Sequence, residues 1–145
     1  MKEEQIGKQL QNFYIAFGSW MRYQYKQVKG DVGLTLSQFQ VLFIISKQGL
    51  CNMSCLSEAI EVSKGTMTSA LNKLVEEGYV ERSASLKDRR NVYVSLTEEG
   101  KEKVTEIKEK LLNSITGVLV ELEEDKKKEV QKGLEILTEI LKTKK

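Results

Sequence analysis

Apolar residues recur at spacings of three and four along the first part of the chain. The recurring residues are Ile6, Leu10, Phe13, Phe17 and Trp20. Because a helical turn takes between three and four residues, they all lie on one side of a helix. The pattern predicts one long amphipathic helix over residues 6–28. Two glycines in the segment 30–33 adopt turn conformations that other residues resist, so the helix is expected to end there.

Two shorter helices are predicted next. Thr35 and Gln38 have the spacing of a capping box, in which each side chain bonds the backbone of the other residue. The apolar residues that follow indicate a second helix that ends near Gly49. A short third helix comes after it, with either Asn52 or Ser54 as its N-cap.

A fourth helix is predicted to begin after Ser63, its N-cap, and to end at Glu77, before Gly78. One side of this helix is apolar and is expected to be buried. The other side is expected to face solvent, and we call it the recognition face. It consists of Lys64, Gly65, Thr66, Thr68, Ser69, Asn72 and Lys73.

The last third of the chain combines two strands with two helices. Alternating apolar residues predict strands over residues 79–83 and 92–96, joined by a loop over residues 84–91; we call this hairpin the wing. Thr97 is the predicted N-cap of a long helix that continues to about residue 121, and a final helix follows from about residue 125. The predicted fold class is mainly α with a small β-hairpin wing. The order of elements is that of a winged helix-turn-helix with long flanking helices.

Composition excludes most catalytic chemistry. The 145 residues include no His and only two Cys, Cys51 and Cys55. The commonest general base and metal ligand is therefore absent, and two thiols alone do not complete a tetrahedral zinc site. Neither a phosphate-binding loop nor a dinucleotide motif is present. We expect no enzyme activity, no catalytic residues, no metal and no cofactor.

Charge and hydropathy indicate where the protein is found and which partners it binds. The net charge is only +2, so any affinity for nucleic acid depends on where the cations lie. No apolar run approaches the length of a membrane span, and the N-terminus lacks the apolar segment of a secretory signal. We expect a cytoplasmic protein with no membrane partner. The near-neutral charge also leaves open a winged-helix module that binds a protein instead of DNA.

The recognition face has side chains that suit the major groove of double-stranded DNA. Hydroxyls and amides read base edges, and the amide of Asn72 can form two hydrogen bonds with adenine. Gly65 allows the backbone to approach a phosphate or a base closely. Together with Ser63, this face forms the first set of candidate DNA contacts. The same side chains also fit an ordinary solvent-facing helix, so the helix alone leaves both interpretations open.

The loop of the wing favours the DNA interpretation. Lys87, Arg89 and Arg90 surround a single acid, Asp88. At a hairpin tip beside the fourth helix, these cations would reach a flanking minor groove, and narrow minor grooves attract Arg. Asp88 can hold Arg90 or another cation in place and shape the turn. The alternative is a solvated turn, in which an exposed pair contributes little.

Two stretches of the chain resemble MarR-type transcriptional regulators. Residues 86–100, LKDRRNVYVSLTEEG, resemble the wing and the start of the next helix in that family, whose pattern is Asp-x-Arg, a strand and Leu-Thr-x-x-Gly. Residues 56–63, 66–68 and 71–82 resemble its helix-turn-helix. The flanking helices fit in length and order, so the resemblance covers nearly the whole chain.

The resemblance implies a homodimeric, sequence-specific DNA-binding regulator. Residues 1–34 and 98–145 would be the dimerisation helices, and residues 35–97 the winged helix-turn-helix domain. The C-terminal helices also carry more apolar residues than one thin domain could cover. A two-fold axis would place two recognition helices about one helical turn apart on a palindromic site. Because family members usually repress transcription until an effector releases them, we expect a dimeric repressor of promoter DNA.

The family also suggests how release could occur. A small aromatic or phenolic effector would lodge between the dimerisation helices and the winged lobe, and these aromatic residues could line its site: Phe13, Phe17, Trp20, Phe39 and Phe43. The same rings also fit a plain hydrophobic core.

The two cysteines offer a different form of control. Cys51 and Cys55 could reach disulfide distance if the chain at Cys51 is not helical, and Cys55 is expected to be exposed near a helix N-terminus. Peroxide sensors of this family commonly carry their reactive Cys in the first helix, where this chain has none. Two interpretations of the cysteines stay open: the protein is a redox-responsive regulator, or the two thiols are reduced and have no role.

Overall fold

The computed structural model describes residues 2–60, 62–84 and 92–144, without the side chains of residues 29–32 and 84. The described chain is mainly helical with a small antiparallel sheet, so the predicted fold class is confirmed. The elements are α1 Lys2–Val32, α2 Leu36–Gln48, β1 Cys51–Asn52, α3 Met53–Ala59, α4 Lys64–Glu76, β2 Val80–Ala84, β3 Val92–Leu96, α5 Glu98–Leu119 and α6 Glu124–Thr143.

Helix α1 is longer at both ends than the apolar pattern predicts. It begins at Lys2, where Glu3 and Glu4 stabilise the positive end of the helix dipole. It continues through Gly30 and stops before Gly33, whose φ of +75° lies in the left-handed region. The predicted stop in segment 30–33 is therefore confirmed, while the predicted start at residue 6 is too late.

The connection from α1 to α2 is fixed by hydrogen bonds. The hydroxyl of Tyr25, which is buried, donates to the carbonyl oxygens of Leu34 at 3.0 Å and Thr35 at 3.2 Å. The predicted capping box is present, because the Gln38 backbone N–H donates to Thr35 Oγ1 at 3.2 Å and the Thr35 N–H donates to Gln38 Oε1 at 2.9 Å. These bonds orient α2 against the end of α1.

The chain divides into two compact units, residues 1–111 and residues 112–145. The hydrophobic core lies in the first unit and takes side chains from α2, α3, α4, the sheet and the first part of α5. Its fully buried members include Leu42, Ile45, Leu56, Leu74 and Ile107. In the second unit, none of the described side chains of α6 is buried.

The sheet has three strands in the order β1-β3-β2, all antiparallel. The sequence predicts the two long strands within one residue of their bounds. It misses β1, because a strand of two residues is too short to show alternation. In β1, Cys51 pairs with Val94 of β3. Asn52 then caps α3 by accepting a hydrogen bond from the Cys55 N–H at 2.9 Å, which decides between the two predicted caps.

The start of α5 is tied to the chain between α4 and β2. The Thr97 N–H donates to the Tyr79 carbonyl at 3.1 Å, and the Thr97 hydroxyl donates to the Gly78 carbonyl at 2.6 Å. Thr97 Oγ1 also accepts from the Gly100 N–H at 3.1 Å, so Thr97 is the N-cap of α5, as predicted. These bonds fix the start of α5 beside the segment that links α4 to β2.

No helix in the described part of the chain has an apolar stretch long enough to cross a membrane.

Candidate nucleic-acid interface

The recognition face lies on the solvent side of α4. All seven of its residues are exposed, while Met67, Ala70, Leu71 and Leu74 on the opposite side are buried. The helical period alone accounts for this division, because the buried residues recur every three or four positions. Ser63 is the N-cap, as predicted: its hydroxyl oxygen accepts from the Thr66 N–H at 3.1 Å.

An open groove runs along the recognition face. Most of its lining comes from α4, including Lys64, Gly65, Thr68, Ser69 and Asn72. Gln38 of α2 also lines it, and the sequence reasoning missed this residue, because its capping role already explained it. The groove is therefore built by two helices and presents hydroxyl, amide and ammonium groups together.

Electrostatics favour an anion at the start of α4. The first turn contains no acid, and Lys64 adds its charge to the positive end of the helix dipole. The far end is more balanced, because Lys73 Nζ lies 3.5 Å from Glu77 Oε1 and Glu76 also lines the groove. The positive potential is thus concentrated at the N-terminal half of the recognition face.

Hydrogen bonds already engage part of this face. The Ser63 hydroxyl donates to Thr66 Oγ1 at 2.7 Å, which leaves the Thr66 hydroxyl hydrogen available for an outside acceptor. Asn72 Oδ1 accepts from Nη2 of Arg82, a residue of β2 that was not among the predicted contacts. Strand alternation could have pointed to Arg82, because it lies on the same side of β2 as the buried Val80.

The predicted contacts at the tip of the wing, Lys87, Asp88, Arg89 and Arg90, lie outside the described residues. The strands that carry this loop are described up to the pair Ala84 and Val92. The role of these four residues stays a prediction.

The predicted effector-site aromatics fall into two groups. On α1, the Phe13 and Phe17 rings are 5.4 Å apart and Phe17 and Trp20 are 6.3 Å apart, with Phe13 and Phe17 exposed. On α2, Phe39 and Phe43 are 5.8 Å apart. No ring contact among the described residues joins the two groups.

The α2 group lines a cavity. Its volume is about 420 Å³, and its walls are Phe39, Gln40, Phe43, Ile44, Ala59, Ile60 and Val62. Beside it, the ammonium groups of Lys47 and Lys108 lie 5.3 Å and 5.0 Å from the Phe43 ring centre. Within the part of the chain that the structure describes, the two aromatic groups therefore have different surroundings, and a shared effector site stays a prediction.

Cys51 and Cys55 are joined by a disulfide, with 5.7 Å between their Cα atoms. The predicted condition holds, because Cys51 lies in β1 and not in a helix. Cys51 is buried, and Cys55 is half-buried, so the expectation of an exposed Cys55 is wrong. The reason is the packing of α3, which places Cys55 against the hydrophobic core. Among the described residues, no three potential metal ligands gather at one point.

The sequence of this chain is similar to a family model and to several curated proteins. Residues 34–92 match the MarR family. The uncharacterized HTH-type transcriptional regulator YfiV of Bacillus subtilis is 32% identical over 108 residues, which make up 74% of this chain and 68% of YfiV. The HTH-type transcriptional regulator SarZ of Staphylococcus aureus is 35% identical over 89 residues, 61% of this chain and 60% of SarZ. The chain spans about three fifths of the length of the first curated relatives that it matches.

The fold is similar to that of a solved regulator as well. The crystal structure of wild-type MarR from E. coli, in its apo form, matches 88% of this chain and 95% of that chain. The TM-score is 0.79 at 22% identity, so this likeness concerns the fold. The family consists of transcriptional regulators and not of enzymes, which agrees with the missing catalytic set in the sequence. The chain belongs to the MarR family of transcriptional regulators.

Proposed function

We propose that this chain is a sequence-specific DNA-binding regulator that represses transcription as a homodimer on palindromic promoter sites. The observation that carries the proposal is the recognition face: a helix with an exposed row of hydroxyl, amide and ammonium groups, held rigidly on a packed core. Base edges in the major groove are read by these groups. The family membership of the chain supports the same function.

The proposed contacts divide by chemistry. Thr66, Thr68, Ser69, Asn72 and Lys73 read base edges. Ser63, Lys64 and Gly65 meet a phosphate at the positive end of α4, where backbone N–H groups point outward. At the wing tip, Arg89 and Arg90 enter the minor groove with Lys87 on a phosphate, and Asp88 orients one of these cations.

A second copy of the chain is the proposed partner of the uncovered apolar surface. On α1, Ile6, Phe13, Tyr14 and Phe17 are exposed, and the second unit exposes a further set. In α6 these are Val130, Leu134, Ile136, Ile140 and Leu141. Contiguous exposed apolar side chains are unfavourable in water, and burying them stabilises by about 25 cal/mol per Å². The dimerisation segments are residues 1–34 and 98–145.

A small aromatic or phenolic ligand is the proposed signal for release. The cavity beside Phe39 and Phe43 supplies apolar walls, and Lys108 near its edge could pair with an acidic group on such a ligand. Phe13, Phe17 and Trp20 would either line the ligand site once the dimer has formed or belong only to the dimer contact. Titration of DNA-bound protein with salicylate and related phenols tests this step: release at concentrations that leave the fold intact supports it, and unchanged binding refutes it.

DNA binding is tested by selecting bound fragments from a double-stranded library with a randomised centre. We expect one enriched palindromic motif and a protein dimer in sedimentation of the complex. Thr68→Ala with Ser69→Ala should relax the selected sequence, whereas Arg89→Ala with Arg90→Ala should weaken all duplexes and lower the salt dependence.

A control pair, Lys126→Ala with Lys128→Ala on α6, also removes two positive charges, but from residues outside the proposed DNA contacts, and should leave binding unchanged. If the wild-type protein selects no motif and is not retained on DNA at low salt, the proposal is wrong. A winged-helix module that binds a protein would then be favoured.

The disulfide favours a redox-responsive regulator as a second candidate. Its bond ties β1, which pairs with β3 of the wing, to the first turn of α3. Formation removes two protons and two electrons from Cys51 and Cys55, and a small-molecule disulfide accepts both and leaves as two thiols. The selected duplex should bind with different affinity in glutathione disulfide and in dithiothreitol. The Cys51→Ser, Cys55→Ser variant should lose the difference; equal binding of the wild type under both conditions refutes this candidate.

A further inference from the structure

Arg82 occupies an unusual position for a charged residue. Along β2, Val80 is buried, and alternation places Arg82 on the same side of the strand. Its cross-strand partner in β3 is Val94, which is also buried. Arg82 therefore starts from the side of the sheet that packs on the core, yet its side chain reaches solvent and ends at α4.

At α4, Arg82 meets a residue of the recognition face. Nη2 of Arg82 donates a hydrogen bond to Oδ1 of Asn72. A guanidinium group has only donors, so the amide of Asn72 must turn its oxygen, and not its nitrogen, toward Arg82. Without such a partner, the terminal torsion of an exposed Asn is broad and both amide orientations are populated.

We propose that Arg82 is a positioning residue that determines sequence specificity by fixing the Asn72 amide on the DNA-binding face. This inference rests on the proposed DNA-binding function. Asn72 lines the groove along α4, whereas Arg82 does not. With its oxygen held on the Arg82 side, Asn72 turns its two N–H donors toward the groove.

The fixed orientation changes which base Asn72 prefers. A freely oriented Asn pairs with adenine by accepting from N6 and donating to N7. Guanine presents two acceptors at the same edge, N7 and O6, and these match two outward donors. We therefore infer that Asn72 selects guanine over adenine at the base pair that it contacts, and that this preference depends on Arg82.

The experiment compares wild type, Arg82→Ala, Asn72→Ala and the double variant in selections from double-stranded DNA with a randomised centre. For wild type we expect guanine at one position of each half-site, preferred about ten-fold over adenine. Arg82→Ala should lose that preference or reverse it to adenine. In the Asn72→Ala background, the same substitution should change nothing at that position. Arg82→Lys, which still offers donors, should restore part of the guanine preference.

Two results would overturn the inference. If Arg82→Ala weakens all duplexes equally, lowers the salt dependence and does so in the Asn72→Ala background as well, Arg82 contacts a phosphate directly. If its selected motif is the same as that of wild type, Arg82 does not position Asn72. Circular dichroism of each variant separates both results from misfolding. A wild-type protein that selects no motif instead refutes the proposed function itself, and the inference falls with it.

Discussion

Replacing Gly100 by Ala is expected to destabilise the winged domain strongly. Gly100 is buried in the first turn of α5, directly against the backbone of Tyr79. A Cβ at position 100 would lie 3.0 Å from the Tyr79 carbonyl carbon and nearer still to its oxygen. Non-bonded carbon atoms rest about 3.5–4.0 Å apart, so α5 and Tyr79 would have to separate by roughly 1 Å. The contact lies between the backbone of Tyr79 and the backbone of α5, so no flexible side chain can move aside.

The size of the effect follows from what that separation breaks. It would stretch the bond from the Thr97 N–H to the Tyr79 carbonyl, now 3.1 Å, and the bond from the Thr97 hydroxyl to Gly78, now 2.6 Å. Each is worth about 1 kcal/mol, and overpacking adds about 1–3 kcal/mol. We expect Gly100→Ala to lower the free energy of unfolding by about 4 kcal/mol, a large part of the stability of a domain of this size.

Urea unfolding followed by circular dichroism measures this free energy. All variants are compared at one protein concentration, because the stability of the proposed dimer would rise with concentration. Gly117→Ala is the matched control, since Gly117 lies in the same helix and a Cβ there meets nothing within 4 Å. Its unfolding free energy should rise by about 0.5–1 kcal/mol through helix propensity. An unchanged or higher urea midpoint for Gly100→Ala would show that the close approach to Tyr79 is not required.

Three further predictions concern the same unit. Burial raises the pKa of Tyr25 from 10.0 to about 12, so the folded state holds the phenol proton more tightly. The stabilisation that the buried phenol gives the folded state is complete below pH 10 and falls by up to about 2 kcal/mol as the pH rises toward 12. Urea unfolding should show this decrease in the wild type and not in Tyr25→Phe. Thr35→Ala removes the capping box and should lower the free energy of unfolding by about 1 kcal/mol in the same assay. An unchanged free energy would show that the cap does not stabilise the fold. Reduction of the disulfide between Cys51 and Cys55 should lower the free energy of unfolding by about 2 kcal/mol, and reductant should not change that of the double Ser variant.

Local sequence signals were sufficient for most helix ends. Thr35 with Gln38, and Ser63, satisfy backbone N–H groups within three residues of themselves, so their roles are readable without the fold. The recognition face followed from the helical period for the same reason, because it needs only the spacing of Met67, Leu71 and Leu74. Thr97 was readable as the N-cap of α5 for the same reason, because it accepts from the N–H of Gly100, three residues later.

Contacts between distant residues were not readable in this way. The strand β1 exists because β3 pairs with it, and two residues carry no pattern of their own. Arg82 and Asn72 are ten residues apart and meet only because β2 packs beside α4. Gln38 reaches the groove because α2 packs against α4.

The sequence by itself therefore determined the order of the helices and of the two longer strands, the polar side of α4 and the family of the chain. Each of these depends on spacings within a few residues or on a contiguous motif. Only the tertiary structure decided that Cys51 and Cys55 are bonded, that Gly100 meets the Tyr79 backbone and that Arg82 donates a hydrogen bond to Asn72. These depend on how separate elements pack, and packing is set by the shape of the whole core and not by any one segment.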